Sequence, residues 1–316
     1  MEPAQPLLSA AVVVGPCRKR GQRSVNALCH QTAIDSMEVI VVDLAADGVP
    51  PLETPPGVRV KYVRSAALRS WSMARIEAVR LADTPIVAFM EDHCYASAGW
   101  AEALIERHKE DWAAVGYTFT NANPESWLSR ASMVNDYGYW MHPAAPGPRR
   151  LVPGNNVSYK REVLLQFGEA LKEMLTPDFA LQEVLSRKGY RLTIEPRALA
   201  AHENWTRFVP FLRANCEYSW FLGAHRAATQ DWGRLRRLLY AAGSPATAVL
   251  FGMCRQLLTL RGRTSLAWPV IEALPVYVVT HFFSGVGESL GYLLGKGPGQ
   301  ERMDNCELGM PRSTTD

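Results

Sequence analysis

Three consecutive residues, Glu91, Asp92 and His93, close an apolar run that begins at Pro85 and reads PIVAFM. Two carboxylates and an imidazole side by side are ligands for a divalent cation. Mg²⁺ is held by one or two carboxylates together with substrate phosphates, and an imidazole donor also suits Mn²⁺. The chemistry predicted for this triplet is therefore the grip on a metal and, through it, on a diphosphate. The competing reading is a solvated loop that follows a strand, and the triplet alone does not separate the two.

The elements that must position it follow from periodicity. "SAAVVV" (9–14) is an apolar β-branched run stopped by Gly15-Pro16, and "MEVIVVDLAADG" (37–48) repeats the plan with a turn-rich ending. Between them "RSVNALCHQTA" carries Val25, Leu28 and Cys29 at helical spacing. "GVRVKYVRS" (57–65) alternates like a third strand, "SMARIEAVRLAD" (72–83) reads as a helix, and "PIVAFM" is the fourth strand. Strands alternating with helices predict a parallel, doubly wound sheet, whose ligands sit beyond the carboxyl ends of the strands. Glu91, Asp92 and His93 lie at such an end. Farther on, "WAEALIERHKEDWAAVG" (100–116) reads as a helix running into a strand, and "ESWLSRASMVNDYGYWM" (125–141) as helical. "HPAAPGPRRLVPGNN" reads as a loop, and "DFALQEVLSRKGYRLTIEP" as a helix closed by Gly189 and followed by a strand.

Bulk properties bound the answer. A chain of 316 residues, 47% hydrophobic and 21% charged, is an ordinary globular mix with room for one large domain and an appendage. A formal charge of +3, with no basic run interleaved with aromatics, argues against a nucleic-acid partner. Six cysteines without any Cys-x-x-Cys pair, and an N-terminus without a secretion pattern, predict a reducing cytoplasm. The sequons at Asn156 and Asn204 then carry no glycan.

From about residue 234 the character changes. "LLYAAGSPATAVLFGM" and "LAWPVIEALPVYVVTHFFSGVGESLGYLLG" are flanked by "RLRR" (234–237) and "RQLLTLRGR" (255–263) and interrupted by Pro245, Pro269, Pro275, Glu272 and Glu288. They fall short of the roughly 20 apolar residues that span a bilayer. Helices lying at a membrane interface, with arginines meeting anionic headgroups, are expected here. The alternative is a helical subdomain packed against the sheet or against the partner of a homodimer. The expected organisation is a domain over 1–233, an apolar helical extension over 234–297 and a disordered tail over 298–316.

Taken together, the blocks resemble the family 2 glycosyltransferases, inverting enzymes of the GT-A fold, from about residue 9 to about residue 226. "AVVVGPCRKRGQRSVNALCHQT" is similar to the opening strand and helix of that family, and "MEVIVVDLAADG" to the strand whose Asp-Asp pair reads base and ribose. "MARIEAVRLADTPIVAFMEDH" lines up without a gap on its Ala-Arg-Asn-x-Gly helix and Phe-Leu-Asp-x-Asp strand. Gln31, Thr32, Asp43, Arg75 and Glu91 keep the pattern. Cys17, Arg18 and Lys19 stand where Thr, Tyr and Asn are usual, Leu44 replaces the second Asp of the base-reading pair, and Ile76 and Ala78 replace Asn and Gly. Glu91-Asp92-His93 takes the place of Asp-x-Asp, with weaker metal binding as the expected cost. "VPGNNVSYKREVLLQFG" resembles the block lining donor sugar and acceptor, with Asn155, Asn156 and Lys160 matching in kind. "PRALAAHENWTRF" sets His202 on a histidine that often reaches the metal or diphosphate.

The resemblance implies a GT-A Rossmann-like mixed sheet flanked by helices, with C-terminal apolar helices added. It implies metal ligands at Glu91, His93 and His202 with Asp92 as a substitute, and nucleotide contacts at Pro16, Cys17, Asp43, Arg75, Asn155 and Asn156. Counting back from Gly189-Tyr190 puts Asp178 on the catalytic base, with Glu183 as runner-up. Asp178 after Thr176-Pro177 also reads as a helix N-cap, and one residue can be both. The implied cofactor is Mn²⁺ or Mg²⁺, the donor a nucleotide-diphosphate sugar with UDP-sugar the first expectation. The acceptor is a glycan or lipid-linked molecule near a membrane, in glycan or polysaccharide biosynthesis at the cytoplasmic face. The rivals are a degenerate member that binds nucleotide-sugar or glycan as a scaffold, and a nucleotidyltransferase, for which "GPCRKRGQR" lacks the proper loop.

Overall fold

The structure is a computed structural model that describes residues 5–46, 48–65, 68, 70–175, 178–263 and 266–297. The expected disordered tail over 298–316 lies outside the described residues. β1 (Leu8–Val14), β2 (Met37–Asp43) and β4 (Ile86–Glu91) are buried along their whole length. That burial on both faces is why each reads as a continuous apolar run rather than an alternation. With β3 (Val60–Arg64) they form a parallel half-sheet in the order β3-β2-β1-β4. α1 (Arg18–Cys29) links β1 to β2, and α2 (Trp71–Leu81) links β3 to β4. The Ser70 hydroxyl caps α2 by accepting from the Met73 amide at 3.2 Å.

Beyond β4, β8 runs antiparallel to both β4 and β6, and β5 runs antiparallel to β9, which corrects the expectation of a parallel sheet drawn from periodicity and agrees with the mixed sheet that the resemblance implied. After β4 the strand–helix alternation stops. β5 (Cys94–Ala96), β6 (Ala114–Asn121), β8 (Val157–Lys160) and β9 (Leu192–His202) complete the order β4-β8-β6-β9-β5. β7 (Gly147–Arg149), inside the segment expected to be a loop, adds to β9. α3 (Trp100–Arg107) joins β5 to β6, and α5 (Arg161–Leu165), α6 (Leu171–Met174) and α7 (Asp178–Arg187) lie between β8 and β9. Gly189, with φ +84°, follows α7 in a backbone region that only glycine enters at little cost.

The chain divides into two compact units. One comprises the N-terminal part to Thr120 together with Trp140–His202, and holds the sheet. The other joins Asn121–Tyr139 to the chain from Glu203 onward, so the division falls before residue 233. The reason is α8 (Phe208–Thr229), which packs along α11 (Leu274–Leu294) together with α9 (Arg234–Thr259). α4 (Trp127–Tyr137) and α10 (Ala267–Glu272) complete this helical unit. Within it Trp205, Phe221 and Trp232 are core residues, and the Trp220 indole donates to the Gly295 carbonyl at 2.9 Å.

Candidate metal and nucleotide site

Strand register assembles the site. Val13 of β1 pairs with Glu91, Val14 with Asp43, and Asp43 with Arg64, so both acidic positions end at one edge of the parallel half-sheet. On the other side β5 pairs with β9, which sets Cys94 opposite His202 and brings His202 beside His93. The two imidazole rings meet edge to face with centroids 4.8 Å apart. Each presents Nε2 at 3.6 Å from the same carboxylate oxygen, Glu91 Oε2. Glu91, His93 and His202 offer donor atoms all within 4.8 Å of one another, and all three residues are buried.

The neighbours hold these donors in place. Asn156 is clamped to Glu91 twice, its amide nitrogen donating to Oε2 at 2.5 Å and its carbonyl accepting the Glu91 amide at 3.1 Å. Asp92 accepts from His93 Nδ1 at 3.0 Å and from the Gly15 amide at 3.3 Å, and pairs with Arg20 at 3.1 Å. A carboxylate paired with arginine only accepts, so His93 carries its proton on Nδ1 and turns the lone pair of Nε2 toward Glu91. A lone pair and a carboxylate oxygen facing each other require a cation or a proton between them. Two imidazoles and one carboxylate fit a divalent transition metal, with Asp92 the partner that orients His93.

α1 supplies the countercharge because it lies close on β1. A Cβ at Gly21 would stand 2.5 Å from Val14 Cγ1, a separation that only glycine permits. The close approach places Arg20 against Asp92 and the Ser24 hydroxyl 3.3 Å from the Glu91 carbonyl.

The second cluster surrounds Asp43. Arg18 donates to both its oxygens, at 2.8 and 3.0 Å, Arg64 donates to Oδ2 at 2.7 Å, the Ala45 amide donates at 3.0 Å, and the Tyr62 hydroxyl donates as well. Burial pushes the Asp43 carboxyl up, but hydrogen bonds from Arg18, Tyr62, Arg64 and Ala45 outweigh it and hold the group well below the usual carboxylate range. Of the other expected nucleotide contacts, Pro16 is exposed and Cys17 half-buried after β1, while the buried Arg75 guanidinium donates to the Asn155 side chain and lies over Phe89. α7 begins at Asp178, whose side chain lies outside what the structure describes. Glu183 pairs with Arg187 along the same helix at 3.3 Å. The sequence reading gave no role to Arg20, Arg64 or Tyr62. The only signal was the basic cluster after Gly15-Pro16, which also reads as a solvated face.

Two outcomes follow from this geometry. Asn156→Ala removes the donor from a buried carboxylate, which costs about 1–3 kcal/mol of stability in a denaturant melt and weakens Mn²⁺ binding about 10- to 100-fold in calorimetry. Asp43 has a depressed folded pKa, so its stabilisation is complete above the unfolded value of about 4 and is lost as pH falls through the folded value. The stability gap between wild type and Asp43→Asn is therefore expected to be widest near neutrality and to narrow below about pH 4. A gap independent of pH would contradict the ion-paired assignment.

Residues 18–164 match the family described as Glycosyl transferase family 2. No curated protein sequence matches the chain. Among solved structures, the chain is similar to the mannosyltransferase PcManGT from Pyrobaculum calidifontis in complex with GDP-Man and Mn²⁺, with 17% identity and a TM-score of 0.58, covering 92% of this chain and 88% of that one. S. aureus TarS 1-349 aligns with 13% identity and a TM-score of 0.46 over 89% of this chain and 90% of that one. The mixed sheet is thus the GT-A sheet, and its matched segment runs from α1 through the Glu91–His93 triplet to α5. Residues 18–164 thus form a segment similar to the family 2 glycosyltransferases, and the chain is a glycosyltransferase that uses a nucleotide-sugar donor.

Proposed function

We propose that the chain moves a sugar from a nucleotide-diphosphate sugar to a lipid-linked or membrane-proximal acceptor with inversion at the anomeric carbon, in glycan or polysaccharide synthesis at the cytoplasmic face of a membrane. The observation that carries the reading is the convergence of Glu91, His93 and His202 at the sheet edge. A divalent cation held there would neutralise the charge that develops on the departing nucleoside diphosphate. Asp92 keeps the His93 lone pair aimed, and Asn156 fixes Glu91. Arg18 and Arg64 add positive charge beside Asp43, where the diphosphate is favoured electrostatically. Asp178, at the start of α7, takes the proton of the acceptor hydroxyl as the nucleophile attacks from the face opposite the leaving group. Its register with Gly189-Tyr190 supports that role.

UDP is the first donor to test. GDP stands beside it, because PcManGT was captured with GDP-Man and Mn²⁺. The donor set of two imidazoles and one carboxylate favours Mn²⁺ over Mg²⁺, which prefers oxygen ligands.

Calorimetric titration with UDP, GDP and dTDP, each with Mn²⁺, with Mg²⁺ and without metal, is the test. One nucleotide is expected to bind with Mn²⁺ clearly tighter than with Mg²⁺, and His93→Ala to weaken that binding by about tenfold or more. Folded protein that binds none of the three would leave the chain a scaffold. Asp178→Asn is expected to abolish sugar transfer, a loss of about 10²-fold or more in kcat, with nucleotide affinity unchanged. Full turnover in that variant would remove Asp178 from the mechanism.

A further inference from the structure

Two helices of the helical unit turn large apolar residues outward. On α9 the outward positions run Leu235, Leu239, Ala242, Ala246, Leu250 and Leu257, spaced by three, four or seven residues, and no charged residue occurs between Arg237 and Arg255. Leu235 is 72% exposed and Phe251 69%. α11 repeats the pattern, with Val278, Phe282 and Leu293 exposed along one side. The inward positions mix polar Ser244, Gln256, Thr280 and His281 with apolar Ala241, Val276, Tyr277 and Tyr292. A helix facing water would carry polar residues at these outward positions.

The helices also meet as helices do where apolar solvent supplies no drive for packing, through small residues that let backbones touch. A Cβ at Gly285 would stand 2.5 Å from the Ser244 carbonyl oxygen, one at Gly287 2.1 Å from the Cys216 carbonyl, and one at Gly291 2.2 Å from the Trp220 carbonyl.

Charge identifies the occupant. From Trp232 to Ile271 the sequence holds six arginines and no carboxylate. Arg234 and Arg236 stand exposed at the start of α9, and Arg261 just past its end. An apolar stripe bracketed by exposed guanidinium groups complements acyl chains bordered by anionic headgroups. No helix among the described residues is long and apolar enough to cross a membrane. The geometry points to the outward face of α9 and α11 as a docking surface that lies in the interface of an anionic bilayer, with α9 along the membrane rather than through it. The transferase reading enters only through where the acceptor would be found.

The test is flotation of the full chain with phosphatidylcholine vesicles and with vesicles in which about one lipid in three is phosphatidylglycerol. Wild type is expected to float with the anionic vesicles. Arg234→Gln with Arg261→Gln should weaken that binding about 30-fold, and Leu250→Asp with Phe251→Asp about 100-fold or more. Both pairs are exposed, and circular dichroism with nucleotide titration on each variant separates loss of fold or of the transferase site from loss of docking. Wild type that floats with neither vesicle would overturn the assignment. So would a soluble dimer that Leu250→Asp with Phe251→Asp splits into monomers, which would make this face an interface between two copies of the chain.

Discussion

Two adjacent carboxylates, Glu91 and Asp92, are buried side by side at the end of a central strand, and the site is built around making that tolerable. Burying one unpaired carboxylate is expensive, and burying two neighbours adds their mutual repulsion. The structure divides the task. Asp92 is neutralised by Arg20 from α1, while Glu91 is held by the Asn156 amide and faced by two imidazoles. The partners come from different parts of the chain, so α1 must be in position for Asp92 to be compensated, and Asn156 beside β8 and His202 of β9 for Glu91. Gly21 lets α1 come close enough, and antiparallel β8 brings Asn156 alongside β4. The antiparallel pairings β4–β8 and β5–β9 are thus part of the site.

The same sheet edge solves a different problem at Asp43. There one carboxylate faces two guanidinium groups and a phenol, so the local balance is positive rather than negative. Because Arg18 and Arg64 are each partly exposed, their field reaches solvent, whereas Arg20 is consumed inside by Asp92. The edge therefore presents positive charge beside the buried cluster of Glu91, His93 and His202. That is the arrangement a metal-diphosphate requires, with cationic donors for the phosphates and anionic or neutral donors for the metal. Departures from the family pattern at Cys17, Arg18 and Leu44 fall in this cluster, where arginine now occupies the carboxylate that family members use to read the nucleotide.

β1, β2 and β4 were legible because strands buried on both faces leave unbroken apolar runs, and Glu91 stood out because charge interrupts such a run. His202 became a candidate only through the order of motifs, since nothing local distinguishes it from other histidines. β5 and β7 are three residues each, too short for a period to show, and their pairing with β9 is a long-range fact. Arg20 was hidden for a related reason: inside "RKRGQR" each cation reads as solvated, and burial of one of them depends on the close approach at Gly21. Asn156 was read as a nucleotide contact, while its described hydrogen bonds go to Glu91. An asparagine in a Gly-Asn-Asn turn gives no sign of which way its amide will face.

The docking proposed for the helical unit turns on a distinction that hydropathy averages make poorly, between helices that cross a membrane and helices that lie on one. A spanning helix is apolar all round, so its mean hydropathy is high. α9 keeps serine, glutamine and threonine on its inner face and leucine and phenylalanine on its outer face, which leaves the average modest while the segregation is strong. The prolines and glycines that lower its score as a span serve the packing: Pro245 sits where Gly285 of α11 makes its closest approach, and Gly252 makes room for the His281 ring. What identifies such a helix is which face carries the apolar residues, and that is fixed only once its neighbours, α4 and α11, are known.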